Sequence, residues 1–112
     1  MPLINVRTSL SEVADSAALL KELSAALAQQ TGKPEAYVMT LLETAVPMTF
    51  AGSTEPCAYV EIKSIGALKP SAMTSAFCEL IESRTGIPAS RIYVAFEDVN
   101  ASSWGWNGNT FG

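Results

Sequence analysis

The chain has 112 residues, which suits one domain and leaves no room for two. Apolar residues make up 48% of it and charged residues only 16%, against about 25% in an average soluble domain. The net charge is −4, no basic tract occurs, and there is no histidine. This argues against nucleic acid as a partner and excludes Ser-His-Asp triads, Cys-His dyads and histidine-based zinc sites within one chain. Two cysteines, Cys57 and Cys78, are too few for a disulfide scaffold or a cysteine-rich metal site. So apolar a small domain is expected to bury part of its outside in a partner or a copy of itself.

Residues 1–7 lack a basic segment followed by a long apolar one, so no signal peptide is expected. No apolar run approaches the ~20 residues of a membrane span. The cytosol is the expected compartment, with leaderless export as the other route. A first strand is predicted over residues 2–7, where Ile4 and Val6 alternate with Asn5 and Arg7. A helix is predicted from about Glu12 to Thr31, with Leu19, Leu20, Leu23 and Leu27 on one face. Ser9-x-x-Glu12 offers a capping box for it, and Ser11 or Asp15 an alternative cap.

Thr31-Gly32-Lys33-Pro34 then reads as a helix end, a glycine cap and a proline stop. A second strand is expected over 37–46, and a loop with Pro47, Gly52 and Pro56 follows. A third strand over 57–64 sets Ala58, Val60 and Ile62 against Tyr59, Glu61 and Lys63. A second helix over 70–85 starts at Pro70, where the missing N–H costs nothing. It gathers Met73, Phe77, Leu80, Ile81 and Arg84 on one face. Thr85-Gly86-Ile87-Pro88 repeats the earlier punctuation 54 residues on and leads into a fourth strand over 91–97. The tail, 101–112, is rich in turn residues yet holds Trp104, Trp106 and Phe111, as a short docked hairpin or edge strand would.

The chain therefore reads as one α+β domain, residues 1–112, of two β-α-β repeats at about 2–46 and 57–97. Each repeat should form a parallel strand pair, with both helices on one face of a mixed four-stranded sheet. The other face mixes Met39, Leu41, Tyr59 and Tyr93 with charged residues, a reason to expect oligomers. A ferredoxin-like monomer has the same chain order and is the rival architecture.

Without histidine, a base near neutral pH must be a displaced carboxylate, a lysine, a thiolate or the α-amine. Position 2 is proline, and initiator methionine is commonly removed before so small a residue. Pro2 would then carry a free secondary amine, titrating closer to neutrality than any lysine. From composition alone, the plainer reading is a proline that merely starts an edge strand.

Several blocks shift that balance: Met1-Pro2, Gln30-Thr31-Gly32-Lys33-Pro34, Ser53-Thr54-Glu55-Pro56-Cys57-Ala58, Ser64-Ile65-Gly66, Arg91-Ile92-Tyr93-Val94 and Gly105-Trp106-Asn107-Gly108-Asn109-Thr110-Phe111. In order, and from Pro2 to Phe111, they resemble the macrophage migration inhibitory factor family of the tautomerase superfamily. The resemblance implies a homotrimer whose three sheets face a central channel, with the tail strand paired to a neighbouring subunit. It implies active sites at subunit interfaces and no cofactor. Pro2 would be the catalytic base in keto–enol tautomerisation of 2-keto acids such as phenylpyruvate, or of dopachrome. Lys33 would hold the substrate carboxylate and keep Pro2 neutral by like-charge repulsion. Ile65 would offer its backbone to the carboxylate, Tyr93 would come from the adjacent subunit, and Trp106 and Phe111 would supply apolar wall. An aromatic 2-keto acid would suit such walls.

Three departures stand out. Cys57-Ala58-Tyr59-Val60 lacks the second cysteine of the Cys-x-x-Cys that vertebrate relatives carry, which removes thiol–disulfide exchange through that motif. Ala95 replaces an asparagine, and Trp104 a smaller apolar residue. The competing functional expectation is a cytokine-like binding protein with a vestigial tautomerase pocket, its receptor binding set by surface detail; a plain structural trimer is the third.

Overall fold

The computed structural model describes residues 1–112. Four strands, β1 (Leu3–Thr8), β2 (Met39–Glu43), β3 (Ala58–Ser64) and β4 (Ile92–Asp98), form one sheet. Helices α1 (Ser16–Thr31) and α2 (Pro70–Thr85) connect the members of each pair. Two short strands, β5 (Gly105–Trp106) and β6 (Asn109–Thr110), make a separate terminal hairpin.

The sheet order is β2-β1-β3-β4. β1 runs parallel to β2 with Leu3 opposite Met39, and β3 parallel to β4 with Ala58 opposite Ile92. The two units join antiparallel through β1 and β3, with Ile4 opposite Ile62. Each helix is thus the crossover of an adjacent parallel pair. A ferredoxin-like sheet splits each β-α-β unit by seating another strand between its members. Here the members are neighbours, so the rival architecture is set aside.

Period-two alternation determines which side of the sheet is covered. Ile4, Val6, Val60 and Ile62 point to one face, where Leu19, Leu23 and Leu27 of α1 and Met73, Phe77 and Ile81 of α2 join them in a single core. All ten side chains are at most 1% exposed. Arg84 leaves the apolar stripe of α2 to pair with Glu22 of α1, bridging the two helices on their outer side. Cys57 and Cys78 are buried free thiols.

The opposite face has no layer over it. It carries Met39, 57% exposed, and Tyr93, 66% exposed. Between these run charged side chains: Arg7 against Glu43 at 2.8 Å, and Lys63 against Glu61 and Glu97 at 3.3 Å each. Arg91, just before β4, holds down the loop between β2 and β3. Its guanidinium donates to the backbone carbonyls of Phe50, Ser53, Glu55 and Pro56 and lies 5.3 Å from the Phe50 ring centre.

Two elements differ from the sequence expectation by more than a residue. Helix α1 begins at Ser16 rather than Glu12, capped by Asp15, whose side chain accepts from the Ala18 N–H. The Ser9 hydroxyl is already engaged, accepting from the Cys57 N–H at 3.2 Å, and so is not the cap. Strand β2 spans only Met39–Glu43 of the expected 37–46. Ahead of it, the Tyr37 N–H bonds to the Pro34 carbonyl in a 3-10 turn over Glu35–Tyr37. Behind it, Ala45 turns to a φ of 56° and the chain leaves the sheet.

Candidate active site

The two repeats build the same turn and then put different residues in it. In the first, the Thr31 hydroxyl donates to the Leu27 carbonyl at 2.7 Å and accepts from the Lys33 N–H at 3.3 Å. In the second, the Thr85 hydroxyl donates to the Ile81 carbonyl at 2.6 Å and accepts from the Ile87 N–H at 3.2 Å. Gly32 and Gly86 cap the helices at φ of 70° and 77°, the left-handed conformation that glycine adopts without strain. The equivalent of Lys33 is therefore Ile87, which is 1% exposed and part of the core. The turn itself does not require lysine. A charge in the first copy, where the second has a buried isoleucine, calls for another explanation.

The turn after Gly32 carries the chain to Pro2. Pro2 is buried immediately before β1, and its carbonyl accepts the Met39 N–H at 3.1 Å. This bond begins the parallel β1–β2 ladder and locks the start of the chain beside the Glu35–Tyr37 turn. Around Pro2 is a cavity of about 220 Å³, and nine of its eleven lining residues are hydrophobic.

Three aromatic rings form one side of it. The Tyr37 ring meets Trp106 edge-on at 5.5 Å and Phe111 edge-on at 6.3 Å, while Trp106 and Phe111 lie nearly parallel at 6.0 Å. Such offset and edge-on pairs are attractive as well as apolar. The hairpin supplies two of the rings. Asn107 and Gly108 both take positive φ, 52° and 80°, as a two-residue hairpin turn demands. The Phe111 N–H then bonds to the Trp104 carbonyl at 3.0 Å, which folds the tail back over the cavity.

The electrostatics favour a neutral amine at this place. The Met1 α-amine is held below its ordinary value near 8.0, first by burial and then by the positive charge of Lys33. Both effects disfavour the ammonium form. No group of three or more His, Cys, Asp or Glu side chains stands close enough to hold a metal ion.

The structure thus brings Pro2, Trp106 and Phe111 to one cavity. Lys33 is half-buried and acts on it through its field rather than by lining it. Ile65 is half-buried just past the end of β3 and does not line this cavity. Nor does Tyr93, which packs on Phe50 at 4.8 Å on the open sheet face of the same chain. Ala95 lies on that strand, opposite Glu61. Tyr37, Met39 and Leu3 are lining residues that the sequence reading left in strands. Recognising Glu35–Tyr37 as a turn would have separated Tyr37 from β2 and identified it as an aromatic next to the lysine.

Comparison with known proteins bears on the family and the fold. The family model described as macrophage migration inhibitory factor (MIF) matches residues 1–112. The macrophage migration inhibitory factor of Xenopus laevis is 35% identical over 114 residues, covering 99% of each chain. The macrophage migration inhibitory factor homolog of Brugia malayi is 37% identical over the full length of both chains. Among solved structures, the homologue from Prochlorococcus marinus superposes with a TM-score of 0.94 at 57% identity, covering 98% of this chain and 99% of that one. The factor from Trichinella spiralis gives 0.90 at 30% identity, covering 97% and 99%. Fold, repeat and motif order lead to one assignment: the chain belongs to the macrophage migration inhibitory factor family of tautomerase-type proteins.

Proposed function

We propose that this protein is a cofactor-independent tautomerase of aromatic 2-keto acids, phenylpyruvate being the test substrate and dopachrome a second candidate, with Pro2 as its base once Met1 is removed. One observation carries the reading: Pro2 is buried in an apolar cavity, where burial and then the field of Lys33 depress the adjoining Met1 α-amine. Neutral, that amine takes a proton from the carbon next to the keto group, and the electron pair moves to the carbonyl oxygen as the enolate. The ammonium so formed returns the proton to that oxygen, giving the enol; the reverse order gives the keto acid. One group serves as base and then acid, which works best with a pKa near ambient pH. The shift is redox-neutral, so it needs no electron acceptor.

Lys33 holds the substrate carboxylate as a compact cation. The aromatic side chain stacks among Tyr37, Trp106 and Phe111. The same reading makes the protein a homotrimer, its copies covering Met39, Leu41 and Tyr93 on the open sheet face. Tyr93 would then enter a neighbour's site and the Ile65 backbone would meet the carboxylate.

The test is keto–enol conversion of phenylpyruvate by protein whose mass confirms loss of Met1, beside the variant Pro2→Gly. Turnover well above buffer, most of it lost in Pro2→Gly, is expected. Absence of turnover in the unmutated protein, or an unchanged rate in the variant, refutes the reading. In the first case the binding-protein function takes its place.

A further inference from the structure

Two cavities meet at the start of the terminal hairpin. The apolar one, about 220 Å³, holds Pro2. The other, about 540 Å³, is polar, with Lys63, Glu97, Asp98, Asn100 and Ser103 in its walls. Leu3, Trp104 and Gly105 line both. Gly105 has no side chain, and Leu3 is held in β1 between Met39 and Lys63. The largest side chain available to separate the two spaces is therefore the Trp104 indole.

That residue is fixed from both sides along the chain. Its N–H bonds to the Ala101 carbonyl at 3.3 Å, and its own carbonyl accepts the Phe111 N–H at 3.0 Å. It is half-buried. A cavity of about 150 Å³ lined by apolar side chains accommodates benzene. The Pro2 cavity thus takes one ring with a short chain. A second ring in line needs about as much again, and the cavity past Trp104 has that room. Removing Met1 opens the site at the chain terminus and leaves this wall in place.

We propose that Trp104 is the specificity-determining residue of this site, a partition that limits it to acids bearing a single ring. The choice of acids rests on the tautomerase reading above. The partition itself can be tested by binding alone.

The probes are 3-phenylpropanoate and 3-(biphenyl-4-yl)propanoate, acids that do not tautomerise. Their dissociation constants are measured by calorimetry on protein lacking Met1, on Trp104→Val and on Trp104→Phe, with phenylpyruvate turnover followed alongside. The unmutated protein should bind the phenyl acid more tightly. Trp104→Val should shift the ratio of the two constants toward the biphenyl acid by roughly tenfold or more. Trp104→Phe should shift it less, since a smaller ring still blocks part of the opening. If Trp104→Val does not fold, the direction of change in Trp104→Phe decides. Equal binding of both acids by the unmutated protein, an unchanged ratio in the folded variants, or no binding of either acid to any of the three overturns the proposal. Absence of turnover in the unmutated protein, with a ratio that still shifts in the variants, would sink the tautomerase reading alone.

Discussion

One extra residue ahead of Pro2 should abolish most of the activity while leaving the fold intact. Retained Met1, or an alanine inserted between Met1 and Pro2, turns the ring nitrogen into an amide with no basic lone pair. The α-amine of the added residue does not replace it. It sits as much as one residue step, about 3.8 Å, from the Pro2 position, whereas proton transfer needs a partner within about 2.6–3.2 Å. Losing a positioned general base costs about 10²–10⁴ in rate, which corresponds to about 3–5 kcal/mol in the barrier. The scaffold is indifferent to the change. With Met1 present, the Pro2 carbonyl still takes the Met39 N–H at 3.1 Å, and Leu3 still pairs with Met39 and Lys63. The assay compares phenylpyruvate turnover of mass-verified preparations with and without the extra residue, alongside their melting temperatures. A 100-fold or greater loss of kcat at an unchanged melting temperature is expected. Equal kcat values would refute Pro2 as the base. A collapsed melting temperature would refute the argument that the terminus is structurally neutral.

Further outcomes follow for the terminal amine, for Lys33 and for the core. Burial and Lys33 push the Met1 amine below its ordinary value, and a Pro2 amine freed by loss of Met1 faces the same lysine, so the rate should fall on the acid side, where that amine takes up a proton. Lys33→Ala removes the like charge, so the amine's pKa rises and the acid-side limb of the kcat profile moves to higher pH, while burial preserves part of the depression. KM for 2-keto acids should rise in the same variant, and an unmoved limb would remove Lys33 from the site. In the core, Phe77 is 0% exposed between the helices and the sheet, so Phe77→Ala should cost about 3–5 kcal/mol in denaturant unfolding. A loss below about 1 kcal/mol would mean the core can close over the gap.

The parts of the fold that follow from periodicity were legible in the sequence. Helix α2 occupies residues 70–85 as its pattern and Pro70 predict. The alternation of β3 matches its buried and half-buried faces. The Thr-Gly-x-Pro punctuation, repeated 54 residues apart, marks two turns that share their hydrogen bonds as well as their letters. What failed was local competition for partners. Ser9 looked like a helix cap, and a residue 48 positions away occupies its hydroxyl. Tyr37 looked like the start of a strand, and the Pro34 carbonyl takes its N–H into a turn. Periodicity carries no record of either bond. At the site, Pro2 and Lys33 stood out only through the motif blocks around them, since by residue type alone a strand start and a solvated lysine are the plainer readings. Of the walls, Trp106 and Phe111 were named with them but Tyr37 and Met39 were not, since these reach the cavity through the 3-10 turn and the β1–β2 register.

The Pro2 cavity also has a topological consequence. It is lined at once by the first residues of the chain and by Phe111, the last but one. The two ends therefore converge on the place where chemistry is proposed, and a fusion tag or fluorophore at either end would sit at its mouth. Labels for imaging or immobilisation belong elsewhere. Residues 51–52, exposed at the tip of the bridge between Phe50 and Ser53, are the natural choice. The same convergence suits a circularly permuted chain, joined end to end and reopened at that tip. Such a chain should keep its sheet and helices while losing the terminal amine altogether, separating the architecture of the site from its reactivity.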